Sequence, residues 1–364
     1  MDVSIGIDVA KRKCDYCVID GSGAVVERGA YQNTASGAGE FARRMARRYA
    51  GRGTCRAACE TTASMWRITY DAVEAAGIDI KLANTFRMSI ISKTAKKTDK
   101  VDAEKIAQVL RMDMIPECYV PDRKVRGVRD MIRQRIKMVR NRTQVINRTH
   151  SMLDAYDIRP AGTTMYGKKT LAQLEGTTLA DRQDDYILKQ HARQIRYLTG
   201  EIEDISTRLE SIACGNRYAR LLTSMTGVGA YSALLLASEI DDVSRFARPK
   251  HIVSMAGLCP GVSQSGGAPR MTRIKKLGTN RLVNWVMCEA ANVAIQHDPR
   301  MAAVYEAARR RHAGRHGPAI SGGAQDDHHN LAHAAHDDAL RVAQRVPVQE
   351  QAGSSPNSGA AGNL

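Results

Sequence analysis

Apolar and polar positions alternate in short runs over residues 3–31, and two turn-forming stretches interrupt them. Val3 to Val9 stops at Ala10-Lys11-Arg12-Lys13, Cys14 to Ile19 stops at Asp20-Gly21-Ser22-Gly23, and Ala24 to Tyr31 follows. That pattern predicts three meandering strands. The period then lengthens. Ser36 to Tyr49 reads as a basic amphipathic helix, Cys55 to Glu60 as a strand after the Gly51-Arg52-Gly53 turn, Trp66 to Ala76 as a helix and Ile78 to Ala83 as a strand. A further helix is expected from the Lys96-Lys97-Thr98-Asp99 stretch to about Met112.

From Pro121 the spacing becomes heptad. Val125, Ile132, Val139, Ile146 and Leu153 recur every seven residues, with Met131, Met138, Val145 and Met152 beside them, which predicts a long helix with a coiled-coil seam. Residues 154–180 contain Pro160 and several Gly and Thr without a period, so they read as a loop at the tip of a hairpin. The return arm sets Leu188, Ile195, Ile202 and Leu209 against His191, Leu198, Ile205 and Ile212 and ends at Cys214-Gly215. His191 holds an apolar position and reads as core. At Leu221 the texture changes again: Thr226-Gly227-Val228-Gly229 opens the apolar run Ala233 to Ile240, His251 to Leu258 leads into a Gly/Ser/Pro loop, and a helix runs on through Ala294. The expected segments are 1–120, 121–215, a mainly helical 216–318, and a tail at 319–364.

Charge narrows the partners. The 364 residues carry a formal net charge of +16 with a pI near 9.6, clustered and rich in Arg, which favours a polyanion. Nucleic acid leads membrane, because no amphipathic anchor accompanies the charge and no apolar run reaches spanning length. A cytoplasmic location is expected. Between Arg123 and Arg148 stand ten Lys or Arg and one Asp; mutual repulsion on one helix favours a polyanion along it, with Arg133, Arg135, Arg140 and Arg142 as candidate contacts. Gly227 and Gly229 open a helix whose free N–H groups suit a phosphate, although any tight helix–helix turn also wants glycine. The eight cysteines do not describe a secreted scaffold. Cys14/Cys17 and Cys55/Cys59 have zinc-like spacing, but in extended strands the members of neither pair converge.

Four carboxylates remain. Asp8 lies within an otherwise apolar strand, where a charge needs a reason. Glu60 closes the fourth strand. Asp99 and Asp102, three apart on a helix, project from one face, where a helix dipole alone would also favour them.

The order of elements and the placement of these acids resemble the ribonuclease H-like fold in its RuvC-type form. More closely, Gly6-Ile7-Asp8-Val9-Ala10-Lys11, Cys59-Glu60-Thr61-Thr62-Ala63 and Lys97-Thr98-Asp99-Lys100-Val101-Asp102-Ala103 are similar to the DEDD transposases of the IS110 family. Ala256-Gly257-Leu258, Ser265-Gly266-Gly267 and Lys276-Leu277-Gly278-Thr279-Asn280 look like that family's C-terminal transposase domain. The resemblance covers roughly residues 3–318. It implies an α/β RuvC-like domain holding Mg²⁺ or Mn²⁺ on Asp8, Glu60, Asp99 and Asp102. It also implies a serine nucleophile at Ser265, with Ser263 as the other candidate in the same loop. The cations Arg270, Arg273, Lys275 and Lys276 would lie at DNA. A recombinase of this kind cleaves DNA and exchanges strands through a covalent serine–DNA intermediate, takes its target from a structured non-coding RNA, and would assemble as a dimer or tetramer through the coiled coil. A junction resolvase would need the acids without Ser265, and a non-catalytic nucleic-acid-binding remnant would need neither.

The tail departs from the resemblance. From Ser321 it is rich in Gly, Ala, Asp, His and Ser with no apolar period, which reads as disordered, and six of the ten His follow Arg311. Back-translated and read in another frame, Ala324 to Ala334 with suitable codons gives AHKMITIIWHM, an apolar helix-like segment. The hypothesis is one inserted base near Ser321 that replaced a terminal core helix and weakened this copy. The coding DNA decides it: if removing one base there restores no apolar helix, the idea is wrong.

Overall fold

A computed structural model of the chain describes residues 2–49, 51, 53–61, 63–91, 99–258, 261–263, 270–272 and 278–313. Its chain divides into two compact units, Met1–Pro121 and Asp122–Leu364.

The first unit is organised on β1 (Val3–Val9), in which only Asp8 is not fully buried. β2 (Lys13–Asp20) pairs antiparallel with it, and β3 (Val25–Gln32) antiparallel with β2. After α1 (Ala35–Tyr49), β4 (Cys55–Glu60) pairs parallel with the other side of β1; α2 (Trp66–Ala75) crosses over to β5 (Asp79–Ala83), parallel to β4. The strand order is β3-β2-β1-β4-β5. Period-two alternation divides β1 between two cores. Val3, Ile5, Ile7 and Val9 meet Phe41, Ala42 and Met45 of α1 and Val73 of α2 on one face. Ile5 and Ile7 are almost wholly buried, each worth roughly 1.5–3 kcal/mol of transfer free energy.

The other face is covered by α3 (Thr85–Ile91) and α4 (Asp99–Arg111), through Met88, Ile106, Val109 and Leu110 against Ala58 and Ala83, and Ala103 and Ala107 against Cys17 and Ile19. Gly6 makes that approach feasible: a Cβ there would lie 2.1 Å from the Ala103 carbonyl oxygen and 2.4 Å from the Ala107 nitrogen. α3 was not expected from the sequence; seven residues present too few repeats to register as a period.

The second unit starts with α5 (Arg123–Ala155), begun by an Asp122 cap that accepts from the Lys124 N–H. Thirty-three residues extend about 50 Å. A short α6 (Lys168–Gly176) precedes α7 (Arg182–Gly215). Arg135 bonds Ser206, Arg142 bonds Thr199 and Tyr156 bonds Asp184, so the two long helices run antiparallel in constant register. The buried positions of α5 draw on both heptad series, Ile132 and Leu153 from one, Met138 and Val145 from the other. On α7 they are Leu188, Ile195, Ile202 and Leu209. His191 is half-buried, and burial, followed by nearby Arg148, lowers its pKa below the ordinary value.

The expected tip loop is partly a folded cap. Met165, Leu171, Leu174 and Leu179 close over Leu153, Leu188 and Ala192. Two apolar residues three apart were too little pattern to reveal a helix. At the opposite end, α8 (Arg217–Leu222), α9 (Ala230–Ile240), α10 (Pro249–Met255) and α11 (Arg281–His297) share one core with Ile132, Leu209 and Ala213. The short hairpin β6 (Gly261–Ser263) and β7 (Arg270–Thr272) and α12 (Pro299–Ala313) complete the unit. The tail expected at 319–364 lies outside the described residues. None of the described helices is long and apolar enough to cross a membrane.

Candidate active site

Backbone register places the first-unit acids before any side-chain argument. Ile7 pairs with Cys59, so Asp8 and Glu60 are the next residues on adjacent parallel strands. Both continue the face of Gly6 and Ala58, the face that α4 covers. α4 runs antiparallel to β1: Ala103 and Ala107 sit on Gly6, while Gln108 and Arg111 bond the carbonyls of Gly23 and Gly21, in the turn after Asp20, which pairs with the first residue of β1. The first turn of α4 therefore lies at the carboxyl end of β1. Asp99 begins that helix and Asp102 follows, so all four predicted acids belong to one end of one sheet face. Carboxyl ends of parallel strands are where open α/β sheets take their ligands.

Asp102 is half-buried and accepts from Lys105 Nζ at 2.9 Å, one helical turn on. Asp8 and Glu60 are half-buried. The side chain of Asp99 lies outside the described residues. Among the described residues, no three His, Cys, Asp or Glu converge closely enough to hold a metal ion. The donor set itself fits a hard divalent cation, because it is all carboxylate. The thiols do not join it. Cys59, between Ala58 and Glu60, faces the other core, and burial raises its thiol far above the ordinary value.

One acid escaped the sequence reading. Asp15 on β2 stands directly across from Asp8 and is only 8% exposed, with Lys13 Nζ at 3.0 Å from its carboxylate. Hairpin arithmetic would have found it, since closing two strands around residues 10–13 pairs position 8 with position 15. Asp15, Asp8 and Glu60 form a row on three neighbouring strands.

In the second unit the predicted cations divide. Arg133 donates to the buried Glu239 at 2.5 Å; Arg135 bonds Ser206 at 2.7 Å and stacks 4.2 Å from the Tyr231 ring; Arg142 bonds Thr199 at 3.2 Å and stacks 4.0 Å from Tyr166. These three fasten helices to each other, so part of the charge run has a structural partner. Arg140 is exposed, without an ion pair among the described residues.

Gly227 takes a positive φ of 87°, and a Cβ there would meet the Ala290 carbonyl oxygen at 2.5 Å, so close packing on α11 accounts for it. Gly229 precedes α9 with open space around it. Glu239 also accepts from Asn280 Nδ2 at 2.8 Å, while the Asn280 Oδ1 caps α11 through Leu282 and Val283 N–H. The Arg270 backbone is described in β7 but not its side chain; Ser265, Arg273, Lys275 and Lys276 lie outside the described residues, and for Ser263 only the strand is described.

A mixed five-stranded sheet in this order, with carboxylates gathered at the carboxyl end of its central strands, defines a protein of the ribonuclease H-like class. Sequence comparison places it further. A transposase model, the DEDD type of IS110, matches residues 5–158, and the model described as "Transposase IS116/IS110/IS902 family" matches residues 219–306. The chain belongs to the IS110 family of transposases.

Among curated relatives, the transposase for insertion sequence element IS1111A of Coxiella burnetii is 23% identical over 80% of this chain and 78% of its own. That for IS1328 of Yersinia enterocolitica is 24% identical over 56% of this chain and 60% of its own. The y4qE protein of Sinorhizobium fredii, described as a candidate transposase, is 27% identical over 51% of this chain. The match spans 45% of y4qE, under half of its length. The RuvC structure from Thermus thermophilus aligns with 32% of this chain and 99% of its own, at 15% identity and a TM-score of 0.25. The class assignment rests on the sheet order rather than on that likeness.

Proposed function

We propose that the chain is an insertion-sequence DNA transposase that cuts and rejoins DNA with a serine nucleophile. The observation that carries the reading is the placement of Asp8, Glu60 and the first turn of α4 at one end of one sheet face, in a chain of this family. Asp8, Glu60, Asp99 and Asp102 would hold Mg²⁺ or Mn²⁺. Bound there, the ion supplies Lewis-acid stabilisation of phosphoryl oxygens. The chain's own residues do the rest: Lys105 holds Asp102 in a set rotamer, and Gly6 lets α4 carry its acids down to the sheet.

Ser265 is the nucleophile in this account, with Ser263 second. Its hydroxyl oxygen bonds to phosphorus, a strand's ester oxygen leaves with the proton, and the reverse reaction on a new strand rejoins the DNA. Arg140, the N–H groups at Gly229, and Arg270, Arg273, Lys275 and Lys276 would contact nucleic acid. A structured non-coding RNA would select the target, and the α5–α7 pair would join copies of the chain as a coiled coil into a dimer or tetramer.

A recombination assay with the flanking element DNA and RNA in Mg²⁺ tests the serine. Ser265→Ala is expected to abolish the covalent protein–DNA intermediate and strand exchange while DNA binding persists. Full cleavage by that variant would turn the reading towards a structure-specific endonuclease.

A further inference from the structure

The turn that joins β1 to β2 is held more firmly than a surface turn requires. Ala10, Lys11 and Arg12 leave β1 just past Asp8 and return the chain to Asp15, Asp8's cross-strand neighbour. Asn33, 8% exposed, clamps this turn from beneath. Its Nδ2 donates to the Ala10 carbonyl at 2.9 Å, and its backbone N–H donates to the Arg12 carbonyl at 2.9 Å. Lys13 is tied at 3.0 Å to buried Asp15. Lys11 and Arg12 are exposed, and neither makes an ion pair among the described residues.

Three features of this turn matter together. Two cations stand within four residues of Asp8, beside a row of three acids on β2, β1 and β4, on a turn whose backbone is fixed by Asn33, and both side chains lie in solvent. Restrained cations bind a polyanion with less loss of freedom than a floppy turn would. Their position is at the carboxyl end of the central strand, at the rim of the proposed cleavage site. A backbone-bound turn of this kind carries no base-reading geometry, so its ligand is the sugar–phosphate chain and not a particular sequence.

We propose that Lys11 and Arg12 bind phosphates of the nucleic-acid strand next to the acid row, holding that strand across the end of β1. This rests on Asp8, Glu60, Asp99 and Asp102 forming the cleavage site. Asn33 is the positioning residue of the turn, and Lys13 serves Asp15 rather than the ligand.

The test uses the full chain and a fluorescent 30-base-pair duplex of arbitrary sequence, with anisotropy titrations across a salt series in EDTA. The variant K11Q/R12Q is compared with R43Q/R47Q, which removes the same charge from exposed positions on α1, the helix on the opposite face of the sheet. Each phosphate contact contributes about 0.9 to the slope of log affinity against log salt, so K11Q/R12Q is expected to lower the slope by about 1–2 and weaken binding by about tenfold. R43Q/R47Q is expected to leave both near wild type. An unchanged slope in K11Q/R12Q, or an equal fall in both variants, overturns the inference. Mg²⁺-dependent cleavage of element-end DNA is measured in parallel: its absence from the wild type defeats the cleavage-site reading, whatever the salt slopes show.

Discussion

Replacing Gly6 with alanine adds one methyl group at the point where α4 touches the sheet. That Cβ would stand 2.1 Å from the Ala103 oxygen, 2.4 Å from the Ala107 nitrogen and 3.0 Å from the Ala107 Cα, whereas ordinary contact begins near 3.4 Å. α4 has to retreat by roughly 1 Å or more, because the obstructing atoms are backbone and have no rotamer to change. Overpacking of this kind costs about 1–3 kcal/mol. The same movement lifts the turn that bears Asp99 and Asp102 away from Asp8 and Glu60, and a misplacement of about 1 Å in a catalytic constellation costs on the order of 100-fold in rate. Circular-dichroism melts and single-turnover Mg²⁺-dependent cleavage, run on one preparation, read the two effects. Gly6→Ala is expected to fold with a lowered midpoint and a cleavage rate reduced far beyond what its folded fraction explains. Adding Ala107→Gly is not expected to rescue it, since trimming that side chain moves no backbone atom. A Gly6→Ala protein with the wild-type midpoint and rate would refute the account of how α4 is seated.

Two other substitutions test the packing. Glu239, 4% exposed, accepts from Arg133 and Asn280 and lies 3.8 Å from Arg129, so Glu239→Ala takes the acceptor from Arg133 and the Asn280 amide, while Arg129 keeps its hydrogen bonds to the Ser238 and Glu239 carbonyls. It is expected to cost about 1–3 kcal/mol in urea unfolding, with Glu239→Gln milder; a loss below about 0.5 kcal/mol would contradict the hub. Glu27 lies under Arg44 and Arg48 and accepts from Tyr16 and Tyr49. Burial works to raise its pKa, but these hydrogen bonds and charges outweigh it and hold the carboxylate below its ordinary 4.5. A depressed folded pKa gives stability that is present above the unfolded value and lost as pH falls through the folded one. Glu27→Gln is therefore expected to lower the unfolding free energy at pH 6 by about 1–2 kcal/mol and to converge with wild type once the pH has fallen below the folded-state value; a gap that persists in strong acid would contradict it.

Patterns that repeat were legible in the sequence, and partners were not. The five strands of the first sheet stand out because alternation over five to eight residues is a strong signal, and Asp8 stands out because β1 is apolar around it. Asp15 was missed because its importance depends on register, a property of two strands at once. Arg133, Arg135 and Arg142 read as a charged face because nothing in their own helix shows that Glu239, Tyr231 and Tyr166, all distant in sequence, come to meet them. α6 reads as loop in the sequence because its Leu171 and Leu174 acquire meaning only against Leu188 and Leu153. The heptad reading of α5 was right about its helix and blurred about its seam, because buried positions cross from one series to the other over that length.

In the proposed function Asp8, Glu60, Asp99 and Asp102, at the end of β1, hold the divalent ion on which DNA cleavage by Ser265 depends. The direct measurement is cleavage of element-end DNA, with its RNA, across a Mg²⁺ titration for wild type, Asp8→Asn and Asp102→Asn, with duplex affinity measured alongside. The account predicts Mg²⁺-dependent cleavage in wild type and a loss of at least 100-fold in each variant at unchanged affinity, on the order that a misassembled catalytic site forfeits. Cleavage that survives both substitutions, or that proceeds unchanged in EDTA, would contradict it.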